Sequence, residues 1–322
     1  MSASAAEATP AGKSTVAPDP RDGRVYVMSG DIDLAVRVSL ATGRPLLLRG
    51  NPGTGKSSLA AYIARQYDWR YYEHVVTSRT QARDLLWTFD SVRRLADAQL
   101  HQGGGQLNDR DYVTPGVLWW ALAPDSARRR GGPAELAVSS PPDEPYATTN
   151  AGRSHDDAVV LIDEIDKADP DVPNGLLVPL GSNEFTVSET GDAITPGRAS
   201  PGQRIVIITT NEERALPQAF LRRCVVLWLP DPGEGALKAI ARAHLTAYEQ
   251  EYTTADESLV TSLAAELIKL RAAAAQQALR PPSTAEFLDA LRACRKLKIT
   301  VGGDDWNRLR DLVLIKPQQP GQ

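Results

Sequence analysis

One short stretch constrains the fold of this chain more than any other, because it runs from an apolar strand into a glycine-rich loop and then a helix. Residues 46–60 read LLLRGNPGTGKSSLA, and the part from Gly50 to Ser57 fits the pattern G-x-x-x-x-G-K-[ST]. Gly53 and Gly55 allow backbone conformations that other residues avoid, so consecutive N–H groups can surround phosphate oxygens. The stretch therefore predicts a phosphate-binding loop at the start of a helix.

Individual positions in this loop predict individual roles. Lys56 can reach the β- and γ-phosphates of a nucleotide, and Ser57 can offer its hydroxyl to Mg²⁺. The apolar spacing of Leu59, Tyr62 and Ile63 indicates a helix after the loop, which favours this interpretation over a chance glycine turn. We expect the nucleotide to contact the loop and the first helical turn: Gly50, Asn51, Pro52, Gly53, Thr54, Gly55, Lys56, Ser57 and Ser58.

A second apolar stretch ends in carboxylates. Residues 158–162 read AVVLI and are followed by Asp163 and Glu164. A strand that is apolar on both faces is typical of the centre of a parallel sheet, and ligands gather at the carboxyl ends of such strands. We predict that Asp163 holds Mg²⁺ and that Glu164 is the general base for an attacking water. A third apolar strand, residues 204–210, leads to Asn211, which is placed to bond the γ-phosphate or that water.

Composition limits the other classes of function. The chain has 322 residues, of which 42% are hydrophobic and 24% charged, and these are ordinary globular values. Its net charge of −4 gives no general reason to expect tight nucleic-acid binding, although a local basic channel stays open. Cys224 and Cys294 lack metal-site spacing, and no secretory or membrane-spanning pattern is present. We predict a cytoplasmic protein without a membrane partner.

The chain divides into three parts by pattern. Residues 1–22 are rich in Ala, Ser, Thr and Pro and predict a disordered tail. Residues 23–230 carry the strands and helices of an α/β nucleotide-binding domain with a parallel sheet. Residues 231–322 follow a Pro-rich boundary and show only helical periodicity, so they predict a small all-helical lid domain.

Four intermediate segments carry further predictions. Residues 81–100 predict one helix, and residues 181–202 a hairpin. Residues 112–122 fit either a helix buried through its paired tryptophans or a loop presented to a partner. Residues 124–157 predict a long insertion loop whose arginines at 128–130 are solvated. We consider residues 112–124 and 181–202 as candidate partner contacts.

Four motifs, in this order and spacing, resemble those of AAA+ ATPases, and within that superfamily the MoxR branch, which is related to dynein-like ATPases. They are GNPGTGKS at 50–57, VVLIDEID at 159–166, IVIITTN at 205–211 and LPQAFLRRC at 216–224. The resemblance implies ATP with Mg²⁺, a Walker A loop, the Walker B pair Asp163 and Glu164, and Asn211 as first sensor. It implies that Arg223, or Arg222 beside it, is an arginine finger acting across a subunit interface in a ring, usually a hexamer.

The resemblance also implies an arginine sensor in the helical domain, near a Ser-Pro-Arg pattern. The matching segment, residues 283–286, reads STAE and has no arginine. Arg280 just upstream is therefore our candidate second sensor, with a solvated charge as the alternative. Three functions remain open: a motor that remodels a protein client, a restriction-type motor directed to nucleic acid, and a slow-turnover assembly module of a defence or signalling system.

Overall fold

The computed structural model describes residues 22–100, 107–135, 140–196, 202–249, 252–277 and 279–315. The predicted disordered tail, residues 1–22, lies outside the described residues except for Asp22. Among the residues described, no helix is both long enough and apolar enough to cross a membrane.

A five-stranded parallel sheet forms the centre of the molecule, with the strand order β2-β5-β8-β1-β9. Two short antiparallel pairs, β3 with β4 and β6 with β7, lie outside it. The strands of the described residues are β1 (Leu46–Arg49), β2 (Arg70–Val75), β3 (Trp87–Phe89), β4 (Val113–Pro115), β5 (Ala158–Asp163), β6 (Phe185–Thr186), β7 (Ala193–Ile194), β8 (Arg204–Thr210) and β9 (Val225–Trp228).

Helices cover both faces of the sheet and then form a separate cluster after it. Those of the described residues are α1 (Gly30–Thr42), α2 (Lys56–Gln66), α3 (Ser91–Leu100), α4 (Val117–Leu122), α5 (Pro124–Arg128), α6 (Ala147–Asn150), α7 (Asp171–Gly175), α8 (Leu177–Ser182), α9 (Gln218–Leu221), α10 (Glu234–His244), α11 (Thr254–Gln276), α12 (Thr284–Leu297) and α13 (Asp304–Leu309). The predicted α/β fold with a parallel sheet and a helical C-terminal region is confirmed.

The central strands β1 and β5 are almost entirely apolar because both of their faces are buried. Successive side chains of a strand point to opposite faces. Leu47 accordingly packs into one apolar cluster, whereas Leu46 and Leu48 pack into the other, on the far side of the sheet. All three side chains are fully buried. This two-sided burial fixes the phosphate-binding loop to a rigid strand.

The predicted single helix over residues 81–100 is wrong. The chain instead forms a 3-10 turn at Ala82–Leu85, then β3, then α3. Leu85 is buried, but Val92 and Leu95 are exposed on α3. Phe89 pairs with Val113 of β4, a residue distant in sequence. This long-range pairing overrides the helical spacing of the apolar residues, which is why local periodicity misled us.

The interpretation of residues 112–122 as a buried element is confirmed. Trp119 and Trp120 on α4 are 0% and 1% exposed, so they are core residues and not a contact surface. The arginines at 128–130 are partly exposed, but they also contact other residues of the chain. Arg128 forms an ion pair with Glu144 at 3.0 Å, and Arg130 donates to the carbonyl of Ser140 at 2.9 Å. The segment 124–157, predicted to be a loop, also contains the helices α5 and α6. The hairpin predicted within residues 181–202 is present as the antiparallel pair β6 and β7.

The helices that follow β9 have their own apolar core. It consists of side chains from α10 to α13, with Leu237, Leu263 and Phe287 fully buried in it. The segment from Leu229 to Gly233 joins this cluster to the sheet. It lies beside the phosphate-binding loop, because β9 pairs with β1. The connection therefore brings the helical cluster to the same edge of the sheet as that loop.

Candidate functional site

The loop between β1 and α2 has the backbone that its glycines predict. Gly53 and Gly55 adopt φ values of +79° and +91°, in the left-handed region that favours glycine. Thr54 closes the turn by donating its hydroxyl to the carbonyl of Asn51 at 2.9 Å. The loop leads directly into the first turn of α2 at Lys56. Its N–H groups and the positive end of that helix thus form a phosphate cradle.

The Lys56 ammonium lies inside this loop. It donates to the carbonyls of Gly50 and Asn51 at 2.7 and 2.8 Å, and its side chain is buried. Burial lowers the pKa of Lys56, and nearby carboxylates, Asp163 first among them, oppose that effect. The lysine is therefore a poorly hydrated cation surrounded by the loop and facing acidic groups.

Asp163, at the end of β5, accepts two hydroxyl hydrogen bonds. Ser57 Oγ donates to its Oδ1 at 2.8 Å, and Thr209 Oγ1, from the neighbouring β8, donates to the same atom at 2.5 Å. Hydroxyl and carboxylate oxygens are the ligands that Mg²⁺ prefers, with phosphate and water completing its shell. Among the described residues, no group of three or more His, Cys, Asp and Glu could hold a metal by itself. Ser57 and Asp163 therefore fit Mg²⁺ bound together with a nucleotide.

Glu164 follows Asp163 in an unusual backbone conformation. Its φ of 61° and ψ of 49° lie in the left-handed region, and its N–H donates to Thr209 Oγ1 at 2.9 Å. The carboxylate receives two donors, Lys167 Nζ at 2.6 Å and Asn211 Nδ2 at 3.3 Å. The hydrogen bond to Glu164 raises the pKa of Lys167, which therefore stays charged.

Asn211, just after β8, is joined to the turn that follows β5. Its backbone N–H donates to Asp166 Oδ2 at 3.2 Å, and the N–H of Glu213 donates to the same atom at 2.9 Å. Asp166 is 3% exposed. Sequence reasoning assigned no role to Asp166 or to Thr209, although both occur in the quoted motifs. The one visible indication was a polar side chain at a strand end.

A cavity of about 890 Å³ joins these groups. This volume is typical of a site for a small ligand or cofactor. Its lining combines the phosphate loop with apolar and charged side chains of the helical side. The α/β side contributes Val25, Tyr26, Val27, Ser29, Asp31, Ile32, Pro52, Gly53, Thr54, Gly55, Lys56, Ser57, Ser58, Asp163, Glu164, Thr209, Asn211, Leu227, Trp228 and Leu229. The segment after β9 and the helices contribute Pro230, Asp231, Pro232, Gly233, Ala236, Ile240, His244, Tyr248, Thr284, Ala285, Leu288, Asp289 and Arg292.

The arginine that the helical side presents to this cavity is not the one expected. Arg292 of α12 lines the cavity, whereas Arg280 does not and pairs with Glu286 at 3.3 Å. Ala285 lines the cavity in the segment where the resemblance led us to seek an arginine. Arg292 lies in the third turn of α12, where its spacing resembles that of any amphipathic helix. Sequence reasoning therefore missed it.

The pKa of His244 is strongly affected by its position on this side. Burial lowers its pKa to about 4, Arg292 acts in the same direction, and Asp22 opposes it. Its Nδ1 is buried without a hydrogen-bond partner in the described structure. The imidazole is therefore neutral at pH 7.

Few contacts join the helical side to the phosphate loop. Asn51 Nδ2 donates to Asp231 Oδ2 at 2.7 Å. Gly53 lies so close to Ser283 that a Cβ at Gly53 would approach Ser283 Cβ to 2.6 Å. The loop and the start of α12 are thus in direct contact, which requires a glycine at position 53.

Arg222 and Arg223 lie outside this cavity. Both are exposed in the turn between α9 and β9, and Arg223 Nη1 donates to the carbonyl of Ala219 at 3.2 Å. Neither arginine contacts the phosphate loop of its own chain. Their expected role in a neighbouring subunit stays a prediction.

Comparison with known proteins agrees with this geometry. A family model described as AAA domain, dynein-related subfamily, matches residues 45–224, more than half of the chain. Among the solved structures that match is an inferred ATPase from Cytophaga hutchinsonii, with 15% identity and a TM-score of 0.43, covering 91% of this chain and 83% of that one. So distant a likeness says nothing about substrate or partner. No curated protein matches the chain.

Proposed function

This chain belongs to the dynein-related AAA family and is an AAA+ ATPase, and from that premise we propose that it is a MoxR-type protein that couples ATP turnover to remodelling or assembly of a protein partner. One observation carries the proposal. The phosphate loop, Asp163 and Glu164 line the same cavity as the helices that follow the sheet. A nucleotide in that cavity would touch both parts, so its hydrolysis would change how they fit together.

The chemistry follows from the chain's own side chains. Lys56 and the N–H groups of the loop bind the β- and γ-phosphates. Ser57 and Asp163 would hold Mg²⁺, and the bound ion would neutralise charge on the phosphate oxygens. Glu164 accepts a proton from the attacking water as that water approaches the γ-phosphorus. Asn211, bonded to the Glu164 carboxylate, lies where it can contact the same water or the γ-phosphate.

Assembly into a ring, usually hexameric in this class, is the second part of the proposal. Arg223, or Arg222 next to it, would stabilise the charge that develops in the neighbouring subunit's site. The exposure of both side chains supports this, because neither is engaged in its own cavity. Light scattering with and without ATP measures the assembly. A monomer in every nucleotide state would contradict a role for either arginine in trans.

The partner and the compartment are also proposals. The net charge of −4 favours a protein client over nucleic acid. The hairpin β6–β7 and its flanking residues are the remaining candidate contact, since the tryptophans of α4 are buried. Cys224 and Cys294 are buried free thiols, in agreement with a cytoplasmic location.

The Glu164→Gln variant tests the proposed chemistry. We expect kcat for ATP to fall by roughly 10²-fold or more, because the general base is lost, while ATP still binds. Glu234→Gln is the matched control, since Glu234 also pairs with a lysine, at 2.7 Å, but does not line the cavity. Affinity capture with Glu164→Gln and ATP should retain the client.

Three results would contradict the proposed function or favour one of the alternatives. Turnover that persists in Glu164→Gln contradicts Glu164 as the base. Strong stimulation of the wild-type ATPase by DNA favours the restriction-type motor. Tight ATP binding with no measurable wild-type turnover favours the assembly module.

A further inference from the structure

Lys167 is a polar residue beside the proposed base to which neither the sequence analysis nor the mechanism above assigns a function. Its Nζ lies 2.6 Å from Oε2 of Glu164, and Asn211 Nδ2 lies 3.3 Å from Oε1 of the same carboxylate. The two donors come from different elements, one from the turn after β5 and the other from the end of β8. Both carboxylate oxygens of Glu164 are therefore engaged, from two directions.

The turn that carries Lys167 is anchored to the core. It is a single 3-10 turn, Ile165–Lys167, in which the N–H of Lys167 donates to the carbonyl of Glu164 at 3.0 Å. Ile165 is fully buried, and buried Asp166 accepts the N–H groups of Asn211 and Glu213. The backbone of Lys167 therefore has little freedom, and this fixed turn places its side chain beside the Glu164 carboxylate.

We propose that Lys167 is a positioning residue for ATP hydrolysis, which together with Asn211 fixes the Glu164 carboxylate in the orientation that receives the proton of the attacking water. The inference rests on the proposed role of Glu164 as the base. A glutamate side chain has several freely rotating bonds, and holding it in one rotamer removes an entropic cost from the reaction. A base oriented by a second side chain is also a recurring arrangement in enzymes.

The contact acts on orientation more than on charge. The Lys167 and Glu164 side chains are 41% and 29% exposed, so solvent screens their attraction. Asp166 and Glu213 also lie near the Lys167 ammonium, which spreads its field over three carboxylates. Solvent weakens the charge–charge attraction, but the short charge-assisted hydrogen bond still fixes the orientation of the carboxylate.

Substitution of Lys167 separates positioning from binding. In Lys167→Met we expect kcat for ATP to fall about tenfold or more, while the KM for ATP and the affinity for ADP change less than about twofold. Lys167→Arg keeps a charged donor and should recover most of the wild-type kcat. Because the Lys167 side chain is 41% exposed and lies outside the apolar core, neither change should impair folding.

Lys238→Met is the matched control. Lys238 pairs with Glu234 at 2.7 Å along α10, a contact of almost the same length between the same residue types. Lys238 does not line the cavity, so its loss should leave kcat within about twofold of wild type, as for a surface ion pair.

The outcomes distinguish this inference from the proposed function. An unchanged or higher kcat in Lys167→Met overturns the positioning role, as does a rise in KM at constant kcat. A loss in Lys167→Met that Lys167→Arg does not restore overturns it too. Turnover that persists in Glu164→Gln overturns the role of Glu164 itself, whatever Lys167 does.

Discussion

The two walls of the cavity are built in different ways. On the α/β side, the functional side chains bond one another directly: Asp163 accepts from Ser57 and Thr209, and Glu164 accepts from Asn211. These residues lie at or next to the ends of β5 and β8 and in the first turn of α2, so the sheet itself determines their spacing. The wall is rigid because its central strands β1 and β5 are buried on both faces.

On the helical side, the side chains that line the cavity make few contacts with the opposite wall. The helices are held there by the Asn51–Asp231 and Tyr248–Asp22 hydrogen bonds, the close approach of Ser283 to Gly53, and Arg271 at the connection. The difference indicates that the residues that bind and hydrolyse the phosphates lie on the rigid α/β wall. The wall attached by few contacts is the one we expect to move with the nucleotide.

The largest effect should come from removing the residue that holds the helical wall in place. Arg271 is 10% exposed and donates to the carbonyls of Pro282 and Pro232 at 2.9 and 2.8 Å. Arg271→Met leaves these acceptors unpaired, so we expect the free energy of unfolding to fall by roughly 3 kcal/mol. Urea denaturation monitored by circular dichroism measures it.

Arg308→Met is the control for this change. Arg308 is 78% exposed and lies 3.7 Å from Asp305, so its loss should alter stability by less than about 0.5 kcal/mol. Equal losses in the two variants would show that Arg271 has no special role in attaching the helices.

The pH dependence of stability should report His244 on the helical wall. The histidine is neutral in the folded protein, with a pKa of about 4, against 6.5 ordinarily. As the pH falls below 6.5 the unfolded chain takes up the proton first, so stability is lost progressively down to pH 4. Between pH 7 and pH 5, wild type should lose roughly 2 kcal/mol more than His244→Gln. Parallel curves from denaturant titrations would contradict this.

A methyl group at Gly53 should disturb the contact between the two walls. In Gly53→Ala we expect the affinity for ATP to fall about tenfold, because the new Cβ would approach Ser283 and distort the loop. Gly152→Ala is a close control, since Gly152 has the same φ of +79° with nothing within 4 Å of its Cβ. Both variants carry a similar backbone strain, so a difference in calorimetric ATP affinity reports the effect of a Cβ inside the phosphate loop. Equal affinities would contradict it.

The smallest effect distinguishes two arginines. Arg292 lines the cavity and Arg280 does not, so Arg292→Ala should weaken nucleotide affinity by roughly threefold to tenfold, the loss of about one hydrogen bond. Arg280→Ala should change it less than about twofold. The reverse order, measured with a fluorescent ATP analogue, would restore Arg280 as the second sensor.

Local pattern was enough where the physics is local. Gly53 and Gly55 adopt the left-handed backbone conformations that the glycine-rich loop predicted. The strand β5 is apolar because the sheet buries it on both sides, so its sequence alone indicated a central position. The errors fell where distant residues decide. Phe89 was assigned to a helix because its pairing with Val113 across residues 90–112 leaves no local trace.

The candidate site divides in the same way. The sequence by itself determined the phosphate-binding loop, Asp163, Glu164 and Asn211, because each is a polar residue at the end of an apolar strand or in a glycine-rich turn, and such positions meet at one edge of a parallel sheet. Tertiary structure alone decided that Lys167 turns back to Glu164. It also decided that Arg292 rather than Arg280 faces the cavity. The direction in which a surface arginine or lysine points depends on how whole elements pack against each other. The periodicity of one element does not indicate which elements lie next to it.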